Sequence, residues 1–195
     1  MRRISAGVLL GALALAGCVA APVLSSYQPG AATVTAIKAA PLGMIAVGEF
    51  ALAAGVKPKA DLVIALQGAI YASPVANSFS QYLREAIIVE LTAAKKYAPD
   101  SALVLTGQLV RNAGGRLFSI SSASAVTEAR FQVRRDSEVL FDKQISADVV
   151  WKSSFAADIA GVEATSQYLN LYGRLLAKLF TDPEFQRACS VPDAG

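Results

Sequence analysis

The clearest periodicity in the chain is the strict alternation of Ala129, Phe131 and Val133 with Glu128, Arg130, Gln132 and Arg134. A period of two places one set on a core and the other in water, so this stretch predicts a half-buried strand. Arg135-Asp136-Ser137 then turns the chain into a second strand, residues 139–151, long enough to bulge where Asp142-Lys143 interrupts its pattern. Upstream, Leu103, Leu105 and Leu109 alternate with Val104, Thr106 and Gln108, and Asn112-Ala113-Gly114-Gly115 supplies residues that tolerate positive φ in a turn. Three antiparallel strands follow from these patterns.

Two stretches carry the helical period instead. Ser78 is a candidate N-cap for a helix through Tyr97, with Phe79, Leu83, Ala86, Ile87, Leu91 and Ala94 spaced three or four apart. Pro99-Asp100 ends it. In residues 157–180, Val162, Thr165, Leu169, Tyr172, Leu176 and Leu179 share a stripe that Tyr168, Leu175 and Phe180 widen, and Thr181-Asp182-Pro183-Glu184 stops this helix and caps a short last turn. Residues 33–37 and 44–52 read as strands covered on at least one face. Residues 62–70 are read as strand too, although an apolar run of that length does not by itself separate strand from helix. The order predicts an α+β fold, a two-layer sandwich with a mainly antiparallel sheet and two long helices packed on one face.

The chain begins with Met1-Arg2-Arg3, and residues 4–16 are apolar except for Ser5. This run is shorter than the roughly 18–20 residues that a permanent transmembrane helix needs. It has the cationic and apolar regions of a secretory signal, and its last four residues, Leu15-Ala16-Gly17-Cys18, resemble the lipobox of bacterial lipoprotein precursors. That resemblance implies cleavage between Gly17 and Cys18, a diacylglyceryl thioether on the Cys18 sulfur and an acylated amine, with palmitate among the acyl chains. Residues 18–32, rich in Ala, Pro, Ser and Gly, read as a lipidated flexible tether, and residues 33–190 as one periplasmic domain. By the enterobacterial sorting pattern, Val19 in place of an aspartate favours the outer membrane over the inner.

Loss of residues 1–17 would leave 178 of 195 residues and remove two arginines, so the net charge of +3 would fall to +1. The basic side chains are interleaved with acids, which argues against a nucleic-acid partner. With 54% apolar residues the mature chain has material for one good core. Cys189 then lacks a partner within the mature chain. It reads as a part-buried thiol, with an intermolecular bridge as the other possibility.

Ser78-Phe79-Ser80-Gln81-Tyr82-Leu83-Arg84-Glu85-Ala86, Trp151-Lys152-Ser153-Ser154-Phe155 and Asp182-Pro183-Glu184-Phe185 resemble segments of a poorly characterised group of proteobacterial lipoproteins. The element order is similar to that of the ABC-transporter auxiliary lipoproteins and of the lipopolysaccharide-assembly lipoprotein. These are resemblances of packing, turns and order, without a reactive group, and fold likeness does not transfer function.

Candidate chemistry is sparse. The sequence has no histidine, which removes Ser-His and Cys-His pairs and histidine-ligated metals. Gly114-Gly115 lacks the motif of a phosphate cradle. Glu85 and Glu90, five apart on one helix, diverge around its axis and read as solvated charge. No catalytic residue, metal or cofactor is expected. Trp151 and Phe155 at a strand end could form an interaction rim, as could Tyr82 and Tyr172, with Tyr168, at a groove between helices and sheet; core packing is the competing assignment for each. The resulting expectation is a non-catalytic, lipid-anchored accessory protein of envelope assembly or transport with an envelope protein partner. The alternative is a lipid-binding carrier, which requires an apolar cavity on the order of 300 Å³ between sheet and helices.

Overall fold

The alternating stretch is longer than its sequence signal and lies inside the sheet. In a computed structural model, which describes residues 21–114, 122–152 and 157–190, β5 runs over Ser122–Arg135 between β4 (Leu103–Ala113) and β6 (Glu138–Lys152). Both pairings are antiparallel. Ala123, Ala125, Thr127, Ala129, Phe131 and Val133 face the core, and the residues between them face outward. Asp136 and Ser137 form a two-residue turn, Asp136 taking φ 54°. The bulge in β6 falls at Leu140, where Val133 pairs with Phe141 and Arg134 with Val139, two residues before the Asp142-Lys143 position expected. β4 continues through Asn112 and Ala113, so these pair in the ladder instead of turning; Gly115, the last residue of the expected turn, lies outside the described residues.

The fourth strand, β1 (Ala46–Leu52), joins the other edge of β4 in parallel, giving the order β1-β4-β5-β6. A parallel neighbour needs a crossover connection. Here it comprises α2 (Lys59–Leu62), the two-stranded sheet β2 (Val63–Leu66) and β3 (Ala69–Ala72), and α3 (Phe79–Ala93). Residues 62–70 are therefore not one strand. Gln67 and Gly68, with φ 48° and 87°, break the apolar run into a tight hairpin of the kind that right-twisted strands favour.

α3 starts as expected, with the Ser78 Oγ accepting from the Gln81 N–H at 3.2 Å. It ends at Ala93, earlier than Tyr97, because Lys95 takes φ 60° and turns the chain so that Tyr97 bridges to Ile45. α4 (Ala157–Thr181) lies across β5 and β6. Its buried stripe is Ala164, Tyr168, Leu171, Tyr172, Leu175, Leu176, Leu179 and Phe180. The expected stripe was rotated from this one: Thr165 and Leu169 are only half-buried, and Val162 is 73% exposed. Asp182 caps α5 (Pro183–Ala188), accepting from the N–H groups of Glu184 and Phe185 at 2.8 and 3.1 Å.

Residues 33–37 are helical, not extended. They belong to α1 (Ala31–Ala39), which buries Thr33 and Ile37 and packs against α3 and α4. Burial on one helical face has overridden the β-branched composition of this segment. The fold is thus α+β, a mainly antiparallel four-stranded sheet with helices on one face.

Both edges of the large sheet are occupied by side chains of the packing helices. Arg84 donates to the carbonyls of Gly48 and Val47 at 2.8 and 3.1 Å, and Gln81 to that of Phe50 at 2.6 Å. On the far edge Lys178 donates to Ser146 O and Arg174 to Asp148 O. Such contacts use carbonyls that would otherwise template another strand.

One close approach fixes the β1–β4 register. Phe50 pairs with Gly107, which pairs in turn with Phe131, and the Phe50 ring lies over Gly107 to reach Phe131 at 6.4 Å between centroids. A Cβ on Gly107 would sit 2.3 Å from the Phe50 ring. Gly107→Val is expected to cost about 2 kcal/mol by overpacking, read as a lowered urea midpoint. Adding Phe50→Leu should recover part of that loss; equal stability of wild type and Gly107→Val would contradict this packing.

Candidate functional site

Most of the polar chemistry buried in the domain lies where the N-terminal segment meets α3 and α4. Residues 21–32, expected as tether, are not free of the domain. Val23 bridges to Ala72, the Leu24 N–H donates to Ala72 O at 3.0 Å, and Leu24 and Tyr27 are buried. Glu90, expected in solvent, is fully buried. Its Oε1 accepts from the Tyr27 hydroxyl at 2.6 Å and from the Gly30 N–H at 2.9 Å, while its Oε2 has no hydrogen-bond partner among the described residues. Glu85 is exposed, so the two carboxylates do diverge. Glu90 therefore holds the segment that precedes α1 rather than forming an acid–base pair.

Next to this latch is a cluster of aromatic rings. Tyr82 packs edge-to-face on Tyr172 at 5.0 Å, on Phe79 at 6.3 Å and on Tyr27 at 6.5 Å, and Tyr168 packs on Phe79 and Tyr172. The hydroxyls are satisfied inside the protein: Tyr168 donates to Asn112 Oδ1 at 2.7 Å and lies 3.3 Å from Tyr172 Oη, and Tyr82 donates to Ser25 O at 3.2 Å. Asn112 donates in turn to Ala60 O. Burial raises the phenols of Tyr82, Tyr168 and Tyr172 well above the usual tyrosine range. Burial raises Tyr27 too, reinforced by the hydrogen bond and charge of Glu90.

Three of the proposed rim residues are thus core. Tyr82 and Tyr172 are fully buried, and Trp151 is 6% exposed. As placed they offer no surface; they fill the space where the rim, or the entry to a lipid cavity, was expected. The physical reason is that Tyr82 on α3 meets Tyr172 on α4 edge-to-face inside the layer, and Trp151 takes a core-facing position of β6. Phe155, the fourth rim candidate, and Gly17 and Cys18 lie outside the described residues.

Elsewhere, two groups of charged side chains pair at the surface, Arg130 with Asp142 and Lys143 with Asp182 and Glu184. Arg130 makes a two-pronged contact with Asp142 at 2.6 and 2.7 Å, which holds the Asp142 carboxyl below the usual range. Burial pushes the Asp182 carboxyl up, but the bond from Lys143 and the two capping N–H groups outweigh it and leave it low. Depressions of about 610 and 460 Å³ lie at Arg135, Asp142, Glu184 and Arg187, and on the outer sheet face at Glu49, Thr106, Arg130 and Arg134. Both are open surface hollows of mixed lining, the first including Leu140 and Phe141 and the second Ala51 and Gly107. Among the described residues no three His, Cys, Asp or Glu side chains are grouped to hold a metal, and no helix is long and apolar enough to cross a membrane.

Cys189 is fully buried, more deeply than its expected part-buried placement. Its carbonyl accepts from the Gly43 N–H at 2.8 Å, and burial pushes the thiol up to about 12, against a small opposing effect of Arg135. A protonated, enclosed thiol is a poor nucleophile. In native protein at pH 8, Cys189 is expected to resist Ellman's reagent for hours and to react within seconds in 6 M guanidinium. Rapid reaction in the native state would contradict the placement, and disulfide-linked dimers would revive the intermolecular bridge.

These features define a two-layer α+β domain in which an N-terminal strap is latched onto the helical layer. By structure the chain is similar to the Xanthomonas campestris protein XCC0632, of the DUF330 family. The TM-score is 0.51 at 13% identity, over 83% of this chain and 91% of that one. It is also similar, at TM-scores of 0.42 and 0.41, to a Caulobacter crescentus CB15 protein described as a candidate lipoprotein and to the hypothetical protein CT253 of Chlamydia trachomatis. These align at 12% and 10% identity, over 81% and 71% of this chain and 93% and 96% of theirs. No family model matches the sequence, and no curated protein matches it. At 13% identity the likeness to the Xanthomonas campestris protein is one of fold.

Proposed function

We propose that the protein is a non-enzymatic accessory subunit of cell-envelope assembly or transport, held at the periplasmic face of the outer membrane by acyl chains on Cys18. The observation that carries this reading is Leu15-Ala16-Gly17-Cys18 closing an apolar run after Met1-Arg2-Arg3. Each acyl methylene placed in the bilayer contributes roughly 0.8 kcal/mol, and more than one chain is needed for stable anchoring; a diacylglyceryl group with an N-acyl chain supplies three. The domain supports an accessory role because Asn112 and the buried tyrosine hydroxyls bind one another, Glu90 and the backbone, as parts of a scaffold do. The partner is an envelope protein.

Intact-mass analysis of protein purified from membranes tests the anchor. The expected mass is that of residues 18–195 plus three acyl chains and a glyceryl unit, with radioactive palmitate incorporated in wild type and absent from Cys18→Ser. A bare Cys18 sulfhydryl overturns the anchor. Crosslinking in cells tests the accessory role, which fails if no envelope protein is recovered above background.

A further inference from the structure

We infer that the end of the domain carrying the β2–β3 hairpin and the first turns of α4 lies against the lipid bilayer, with Val23, Ile70 and Val162 as its contact side chains; this rests on the acylation of Cys18 proposed above. The end is identified by the sheet itself. β1 and β4 run towards it, β6 ends at it, and the hairpin covers it: Gly114 at the end of β4 packs so closely on β2 that a Cβ there would lie 2.3 Å from Ala65 O.

Exposed apolar side chains concentrate at this end. Among the described residues the large exposed hydrophobic side chains are Val23, Met44, Leu62, Ile70, Val139, Val150 and Val162. Met44 and Val139 lie at the opposite end; the other five lie at this one. Val23 and Val162, 59% and 73% exposed, face a shared hollow with Tyr71, and the Tyr71 hydroxyl lies 3.5 Å from where a Gly161 Cβ would be. Ile70 stands on the outer face of the hairpin, opposite Ala65, which is also exposed. Ile70 and the Val23–Val162 hollow lie on opposite faces of the hairpin, so what they share is this end of the domain, where a planar surface would meet both.

Chain length supplies the occupant. Val23 is only five positions beyond Cys18, and the ladder contacts of Val23 and Leu24 with Ala72 pin this point to the hairpin. Five residues span at most about 18 Å fully extended, so acyl chains on Cys18 bring a bilayer to within that distance of the patch. Had residues 21–32 been a free tether, the domain could have hung well clear of the lipid; the Glu90 latch removes that slack.

Charge agrees with this placement. Residues 19–37 and 62–83 contain no ionisable acid or base other than tyrosine, while the first turns of α4 carry two acids, Asp158 and Glu163. Asp61, at the border, accepts from the Ser78 hydroxyl and the Ser80 N–H, and Glu163 accepts from Gln167, so neither is left unpaired toward the lipid. The exposed side chains Lys57, Lys59 and Lys152 flank the patch and complement anionic headgroups.

The experiment uses the acylated mature protein in vesicles of phosphatidylethanolamine and phosphatidylglycerol. A nitrobenzoxadiazole fluorophore is placed on Ile70→Cys, Val162→Cys or Val139→Cys, Cys189 being buried and Cys18 blocked by its lipid. Spin-labelled lipid is expected to quench the first two by half or more and to leave Val139→Cys within about a tenth of its starting emission. Ile70→Glu/Val162→Cys should lose most of that quenching while remaining on the vesicles. If the mass spectrum gives an acylated Cys18 but the Ile70 and Val162 labels stay in water, the docking inference is overturned and the anchor stands. Labels shielded without lipid quenching would mean that protein covers the patch, which also overturns the inference. If Cys18 is bare, the anchor fails and the inference with it.

Discussion

Stability is expected to collapse as the pH rises above about 10, steeply enough to unfold the domain within a few pH units. Four tyrosines, Tyr27, Tyr82, Tyr168 and Tyr172, are held neutral in the fold, with phenols raised well above their ordinary value near 10, first by burial. In the unfolded chain the same phenols ionise near 10. Between the unfolded and folded values the native state therefore binds more protons, and the free energy of unfolding must fall with increasing pH. Below pH 10 the contribution is fully present. Each phenol removes up to about 1.4 kcal/mol per pH unit, so four acting together remove up to about 5.6 kcal/mol per unit. A domain stabilised by about 5–15 kcal/mol does not withstand that for long. Urea midpoints measured from pH 8 to 12, with phenolate absorbance near 295 nm followed in parallel, would read it. Phenolate formation should coincide with unfolding, and Tyr82→Phe should flatten the slope by about one proton. Gradual titration of all tyrosines near pH 10 with the fold intact would refute the enclosed cluster.

The second large effect concerns the latch. Glu90→Ala removes the acceptor for the buried Tyr27 hydroxyl and the half-buried Gly30 N–H, leaving both donors unpaired. A hydrogen bond to a charged group contributes about 1.5–3 kcal/mol, and an abandoned buried donor costs about 1–3 kcal/mol, so a net loss of roughly 3 kcal/mol is expected. Glu90→Leu combined with Tyr27→Phe should recover most of it, because removing both polar partners leaves little to satisfy. The loss should also be local. In Glu90→Ala, residues 21–30 should be cut by protease, and the Gly30 amide should exchange, at least tenfold faster than in wild type, with β5 protected as before. Unchanged cleavage of that segment would mean that Leu24 and Tyr27 hold the strap by apolar contact alone. The same variant bears on membrane geometry, since freeing the strap lengthens the link between Cys18 and the domain.

Much of the sheet was legible along the chain. The alternation in residues 128–134 is what a strand with one dry and one wet face requires, and β5 and β6 have that face on the helices. The Ser78 and Asp182 caps were equally readable, because a cap is a contact between residues two or three apart. The role of Glu90 was visible in principle and missed. It falls four residues after Ala86 and three after Ile87, on the buried stripe of α3, and an acid on that stripe signals a buried partner more than a solvated charge. The partner itself, Tyr27, lies 63 residues away, beyond any local pattern.

Local order in the chain therefore settled the strands of the meander, the two long helices, the Ser78 and Asp182 caps and the α+β class, each of which depends on neighbours within a few residues. Packing settled the rest. Whether residues 33–37 coil or extend, how α4 is rotated, which strand lies beside β4, and whether Tyr82, Tyr172 and Trp151 meet water or one another were decided by contacts between segments dozens of residues apart. Such contacts form only after the loops joining them close, and the burial gained there outweighs differences in local preference of a few tenths of a kcal/mol per residue.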